Sequence, residues 1–168
     1  MDKVIIELAG LSVGYGENII IRDIELKLKK GSVVSLIGAN GSGKSTLLKT
    51  VFGELKPLKG NVLLEGRPLS EIDKSELSKR IAILMTDRFK SGFMTCREIV
   101  ELGRYPYTGF LGRLSGDDDR AVEDALEKLR ISALSDRLFN RLSDGQRQLV
   151  MLARAICQEP EVLIMDEP

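Results

Sequence analysis

Residues 38–45 read Gly38-Ala39-Asn40-Gly41-Ser42-Gly43-Lys44-Ser45. They lie between an apolar run, Val33-Val34-Ser35-Leu36-Ile37, and a segment in which Leu47, Leu48, Val51 and Phe52 recur at helical spacing. The order strand, glycine turn, helix predicts an α/β unit, with Gly53 as the helix stop. Each residue type in the turn has a mechanical reason. Glycines let backbone N–H groups turn inward around phosphate oxygens, and the helix N-terminus adds partial positive charge. Lys44 has the reach for β/γ-phosphates, and the Ser45 hydroxyl suits magnesium. An ordinary glycine turn is the competing reading, and the flanking strand and helix weigh against it.

Before this unit, residues 4–8, 11–15, 18–22 and 24–28 are short β-rich runs separated by turn signals, which predicts an antiparallel ribbon leading into a buried strand at 33–37. After it, 61–65 and 81–85 read as strands, with a short helix starting near Asp73. From about 87 to 142 the pattern is helical, with candidates at 97–104 and 117–130, the latter placing Val122, Ala125, Leu126 and Leu129 on one face. Ser115 and the run Asp117, Asp118, Asp119 suit a solvated helix start, where carboxylates meet the positive end of the dipole. A last helix over 146–158 is expected to bury Leu149, Leu152, Ala153 and Ile156, followed by the strand Val162-Leu163-Ile164-Met165-Asp166.

The 168 residues, 43% of them hydrophobic, suffice for a sizeable core. Lys plus Arg (25) equals Asp plus Glu (25), so the broad positive field of a nucleic-acid binder is missing and no nucleic-acid partner is expected. Cys96 and Cys157 lack histidine neighbours and read as buried thiols of a cytosolic chain, not a zinc site or disulfide. No run approaches the roughly 18 apolar residues of a membrane span.

Two further stretches carry chemistry. The strand at 162–166 delivers Asp166 and then Glu167 to what would be the carboxyl edge of a parallel sheet, where open α/β sheets bind ligands. There Asp166 would hold magnesium and Glu167 would orient and deprotonate the attacking water. Leu142-Ser143-Asp144-Gly145-Gln146 spaces Ser143 and Gln146 as a capping box for the following helix, and this plain reading competes with a functional one.

Taken in order, the loop at 38–45, LSDGQ at 142–146 and LIMDEP at 163–168 resemble the ATP-binding subunits of ABC transporters, over essentially the whole chain. The resemblance implies an α/β fold: a P-loop NTPase core with an N-terminal antiparallel β subdomain and an inserted helical subdomain, the C-terminal part of the cassette being missing. It divides the chain into 1–86 (β subdomain and first part of the core), 87–142 (helical subdomain) and 143–168 (signature helix and the Asp-Glu strand of the Walker B motif). It implies ATP and Mg2+ as ligands. Gly38, Ala39, Asn40, Gly41, Ser42, Gly43, Lys44, Ser45 and Thr46 would hold the nucleotide, and Tyr15 would stack on adenine. Ser45 and Asp166 would hold the metal, with Thr86 as a further candidate, and Glu167 would be the catalytic base. Ser143, Gly145 and Gln146 would act in trans on ATP bound by a second such subunit in a homodimer. The other implied partners are a membrane permease gripped by the helical subdomain and, indirectly, a substrate-binding protein. The expected location is the cytoplasmic face of the inner membrane. The string GRYPYTGFLGRLS (103–115) is similar to a segment of subunits that energise uptake of ferric siderophores, haem or cobalamin. Packing of Tyr105, Tyr107, Phe110 and Leu111 within the subdomain or against a permease is the plainer reading of that string.

The sequence departs from the family pattern in three places. Thr86 stands where a glutamine is usual and is shorter by roughly 2 to 3 Å of reach, so Thr86 or Asp87 is expected to contact the metal through an extra water. Asp144 replaces a signature glycine. A carboxylate about 4 Å from a phosphate would cost on the order of 4 kcal/mol at an effective dielectric near 20, so Asp144 is expected to face solvent or a basic neighbour. The third departure is that the chain has no histidine and stops after the Asp-Glu, before the family's later strands and its γ-phosphate histidine. From this we expect weak nucleotide binding, slow or absent hydrolysis by the isolated chain, and aggregation through uncovered sheet edges. The alternatives to an importer subunit are a non-transport ABC ATPase, ribosome-acting or of iron-sulfur assembly, and an inactive gene fragment.

Overall fold

The alternating runs at the start of the chain form two long strands in the computed structural model, which describes residues 3–85, 92–109 and 112–166. Strand β1 (Val4–Tyr15) pairs antiparallel with β2 (Asn18–Lys29) and with β3 (Lys59–Leu64), and β3 pairs with the short β4 (Arg67–Pro68). The order β2-β1-β3-β4 places β1 inside the sheet, with Ile6, Leu8, Leu11 and Val13 buried. The four short runs expected from the sequence are therefore two strands interrupted by bulges. The register shifts between Leu8 and Leu11, and side chains take up the amides freed there. Gly10 N–H donates to Glu25 Oε1 at 2.6 Å, and Asp23 N–H to Ser12 Oγ at 3.2 Å.

The strand expected at 33–37 does not form. Residues 32–39 have no regular structure, and Val33 and Ile37 are 96% and 91% exposed. A strand exists only as part of a ladder. No strand among the described residues pairs with this segment. The helix after the glycine turn is present as α1 (Lys44–Val51), burying Thr46, Leu47, Thr50 and Val51, and it ends before Gly53 as expected.

The chain divides into two compact units, residues 1–77 and 78–168. The first contains the antiparallel sheet and α1. Helix α2 (Lys74–Arg80) runs across the boundary into β5 (Ile81–Met85). In the second unit β5 pairs in parallel with β6 (Val162–Asp166), in register from Ile81 opposite Val162 to Met85 opposite Asp166. Parallel pairing demands a crossover, and among the described residues it includes α3 (Cys96–Glu101), a 3₁₀ segment (Leu102–Tyr107), α4 (Gly116–Lys128) and α5 (Asp144–Cys157). Each of these three α-helices begins with a capping box, Thr95 with Glu98, Ser115 with Asp118, and Ser143 with Gln146. Their shared core includes Cys96, Ile99, Val100, Val122, Leu126 and Val150, all fully buried.

Two expectations change in this unit. Helix α5 buries Val150, Ala153, Ala155 and Cys157, while Leu149 is 38% exposed. The helix packs against α3 and α4 and also against β5, so its buried surface is wider and rotated from a single leucine stripe. Asp118 is not part of a solvated helix start. It is buried, because its carboxylate closes the capping box and meets an arginine from the 3₁₀ segment. Asp117 and Asp119 are exposed as expected.

Candidate functional site

The glycine turn is built as a cradle open to solvent. Gly43 is the N-cap of α1 at φ 94, a left-handed conformation, and a Cβ there would lie 2.5 Å from Ile20 Cγ2 on β2. Ser42 N–H donates to Ala39 O at 3.2 Å and Leu47 N–H to Gly43 O at 2.9 Å, which fixes the turn onto the helix. Lys44 folds back over the loop and donates Nζ to Gly38 O at 2.8 Å and to Ala39 O at 2.9 Å. No side chain caps α1 and no acidic residue sits in its first turn. The first-turn amides and a lysine held over the loop by two carbonyls form a cationic cradle that fits phosphate oxygens. Ser45 is exposed and Thr46 is buried, its carbonyl accepting from Thr50 Oγ1 at 2.9 Å. Tyr15, half exposed, ends β1 opposite Asn18 in the hairpin whose Ile20 and Ile21 abut Gly43.

Residues 78–168 carry a separate set of candidate groups. Ser143 is the N-cap of α5: Gln146 N–H donates to Ser143 Oγ at 3.3 Å and Ser143 N–H to Gln146 Oε1 at 3.1 Å. The capping role expected for this pair is therefore realised. It leaves the Ser143 hydroxyl hydrogen and the Gln146 amide hydrogens available as donors. A Cβ at Gly145 would meet nothing within 4 Å, so the start of α5 is open to an incoming group. Asp144 is 96% exposed and its carboxylate accepts from Arg147 Nη1 at 3.0 Å, as expected of a side chain facing solvent and a basic neighbour. Arg147 also donates Nη2 to Asn140 O at 2.9 Å, tying the signature to the turn before it.

Asp166 ends β6, half-buried and opposite Met85. Ser45 and Asp166 each offer a hard oxygen donor of the kind magnesium prefers. Glu167, Thr86 and Asp87 lie outside the described residues, as do Phe110 and Leu111.

Sequence reading missed a polar cluster behind the signature helix. Arg104 is buried and donates Nε to Asp118 Oδ1, Nη1 to Glu159 Oε2 and Nη1 to Cys157 O, each at 2.8 Å. Its guanidinium lies 3.9 Å from the centroid of the Tyr107 ring, a cation–π contact. Two hydrogen bonds from Ser115, hydroxyl first and backbone second, hold the Asp118 carboxyl down at about 2, with Arg104 adding to the shift. The acceptors of Arg104 lie 14 to 55 positions away from it in the chain, and no local pattern joins them to it. Burial pushes the Cys157 thiol up to about 12 and also raises Cys96, so neither is a ready nucleophile. Both are free, as expected. Among the described residues no helix is long and apolar enough to cross a membrane.

Comparison with known proteins agrees with this geometry. The family model "ABC transporter" matches residues 21–168. An uncharacterised ABC transporter ATP-binding protein of Methanocaldococcus jannaschii is 42% identical over 94% of this chain and 54% of its own length. The iron(3+)-hydroxamate import ATP-binding protein FhuC of Bacillus subtilis is 38% identical over 94% of this chain and 59% of its own. The solved structure of cbiO1 from Clostridium perfringens, part of the ABC transporter complex cbiONQ, superposes with a TM-score of 0.86 at 30% identity, covering all of this chain and 66% of that one. The chain thus spans little more than half the length of these two sequence relatives. With the family model covering all but the first twenty residues and the cassette fold reproduced, the chain belongs to the ABC transporter family and carries its P-loop ATP-binding fold.

Proposed function

We propose that the chain binds and hydrolyses ATP to energise import of a metal chelate, a ferric siderophore, haem or cobalamin, through a membrane permease. The observation that carries this reading is the ordered set of phosphate cradle, capped signature helix and Asp166 strand in a chain 38% identical to an iron(3+)-hydroxamate importer's ATP-binding protein. The string at 103–115 supports the same class of cargo. Residues 1–86, 87–142 and 143–168 serve as nucleotide-binding, permease-facing and hydrolysis segments. The chain works as a homodimer on the cytoplasmic face of the inner membrane, with a substrate-binding protein supplying the cargo.

In this reading Lys44 exchanges its contacts with Gly38 O and Ala39 O for the β/γ-phosphates, which costs little because both states satisfy the ammonium. The α1 amides add donors, and Tyr15 offers a ring face to the adenine. Ser45 and Asp166 would hold Mg2+, which supplies charge neutralisation on the transferring phosphoryl group. Glu167 takes the proton of the attacking water. Ser143, Gly145 and Gln146 present donors to the γ-phosphate held by the partner subunit.

The test is ATP turnover by the protein assembled with its permease, with ferric hydroxamate, haem and cobalamin supplied in turn. Turnover should rise with one of the three. Lys44→Ala or Glu167→Gln should reduce it by at least about 10²-fold. Turnover equal in wild type and Glu167→Gln would overturn the assignment of the base. Indifference to all three chelates would overturn the cargo class.

A further inference from the structure

Cys157 at the end of α5 and the four residues 158–161 that join it to β6 are fastened from two sides. From the 3₁₀ segment, Arg104 donates to Cys157 O at 2.8 Å and Tyr107 OH donates to Gln158 O at 3.0 Å. From the end of α2 and the start of β5, Ser78 O and Ile81 O accept from Gln158 Nε2 at 2.6 and 2.8 Å, and Arg80 pairs with Glu161 at 2.6 Å. Within the link, Glu159 adopts φ 52, a conformation in which glycine is ordinarily found. It is held there by its amide, which donates to Ile156 O at 2.8 Å, and by its carboxylate on Arg104. Arg104 is in turn fixed by Asp118, which also closes the capping box of α4. One guanidinium therefore joins the 3₁₀ segment, the start of α4 and the exit of α5.

We propose that Arg104 is a positioning residue for ATP hydrolysis. By locking the α5–β6 link to the 3₁₀ segment, it holds the signature at one end of α5 and Asp166 at the end of β6 in a single geometry. This rests on the reading of the chain as an ATPase. Helix α5 is about 20 Å long at 1.5 Å per residue, so a tilt of about 5° at its C-terminal end moves the signature by nearly 2 Å. A displacement of that size is enough to cost about 10²-fold in rate. The partners of Arg104 all lie in residues 78–168, whereas the cradle at 38–46 belongs to the other unit. Loss of Arg104 should accordingly slow turnover and leave ATP affinity alone.

The test compares Arg104→Gln, Arg104→Lys and Tyr107→Phe in the full chain assembled with its permease. Arg104→Gln should lower kcat about tenfold or more while KM for ATP stays within about twofold. Arg104→Lys keeps a cation for Asp118 but loses the planar fork and the stacking on Tyr107, so it should recover at most part of that loss. Tyr107→Phe removes one hydrogen bond to the link and should give a smaller fall in kcat. An unchanged kcat in Arg104→Gln, or a rise in KM alone, would overturn the proposal. If helical circular dichroism shows that Arg104→Gln does not fold, Tyr107→Phe decides, and an unchanged kcat there is the overturning result. Should wild-type turnover not exceed that of Lys44→Ala, the ATPase reading is what fails. Amide hydrogen exchange of the chain then reads the lock itself, with faster exchange expected at both 143–147 and 162–166 in Arg104→Gln. Acceleration confined to 157–161, or none, would overturn it.

Discussion

Replacing Asp118 with alanine removes one partner of a buried ion pair and one half of a capping box. The pair is short, 2.8 Å from Arg104 Nε to Asp118 Oδ1, with both side chains 6% exposed. Removing one member of such a pair costs about 3–5 kcal/mol, because the other charge is left buried. Arg104 keeps two acceptors, Glu159 Oε2 and Cys157 O, which places the loss near the lower figure of about 3 kcal/mol. The other carboxylate oxygen accepts from Ser115 N at 2.9 Å and Ser115 Oγ at 2.7 Å, and losing this end of the box adds about 1 kcal/mol. The expected loss of about 4 kcal/mol corresponds, at a urea slope of about 2 kcal/mol/M, to a midpoint lowered by about 2 M. Most of the helix lies in residues 78–168, so urea titration followed by helical circular dichroism reads the unit that contains the pair. Asp117→Ala is the control, since that side chain is 81% exposed and its pairing with Arg120 should contribute under about 0.5 kcal/mol. A midpoint shift under about 0.5 M for Asp118→Ala would refute the assignment of Arg104–Asp118 as a stabilising pair.

Other outcomes follow from the same geometry. Because the Asp118 carboxyl is held at about 2, below its usual 3.8, its contribution is fully present above about pH 4 and is lost as pH falls toward 2. Acid titration should show helical signal declining in that window, and Asp118→Asn should lose this component. Gly103→Ala would bring a Cβ to 2.2 Å from Arg154 O, displacing the 3₁₀ segment from α5 at a cost of about 1–3 kcal/mol, measurable by thermal unfolding. Asp144→Gly should change ATP affinity by less than about tenfold, because the carboxylate is exposed and paired with Arg147; direct nucleotide titration checks it.

The readable parts of this chain are those whose cause is local. Glycine spacing fixed the turn at 38–45 and the start of α1, and the Ser143–Gln146 spacing gave the cap of α5. The expectation that Asp144 faces solvent or a basic neighbour came from electrostatics, and its Arg147 partner is three residues away. What could not be read depends on distant partners. Residues 33–37 are as apolar as β6, yet β6 is a strand because β5 lies beside it, while 33–37 has no such neighbour among the described residues. Asp117, Asp118 and Asp119 are identical as residue types. Only Asp118 is buried, because Arg104, fourteen positions earlier, is brought to it by the fold. The left-handed Glu159 likewise depends on a distant partner. A glycine there would relieve the backbone and remove the carboxylate that Arg104 holds. A Glu159→Gly variant that gained stability would show that the backbone conformation outweighs that ion pair, and one that lost stability would show the reverse. With its side chain 65% exposed, the Glu159 carboxylate is the weaker of Arg104's two anionic partners. We therefore expect Glu159→Gly, in which backbone relief offsets the loss of that pair, to shift the urea midpoint less than Asp118→Ala does.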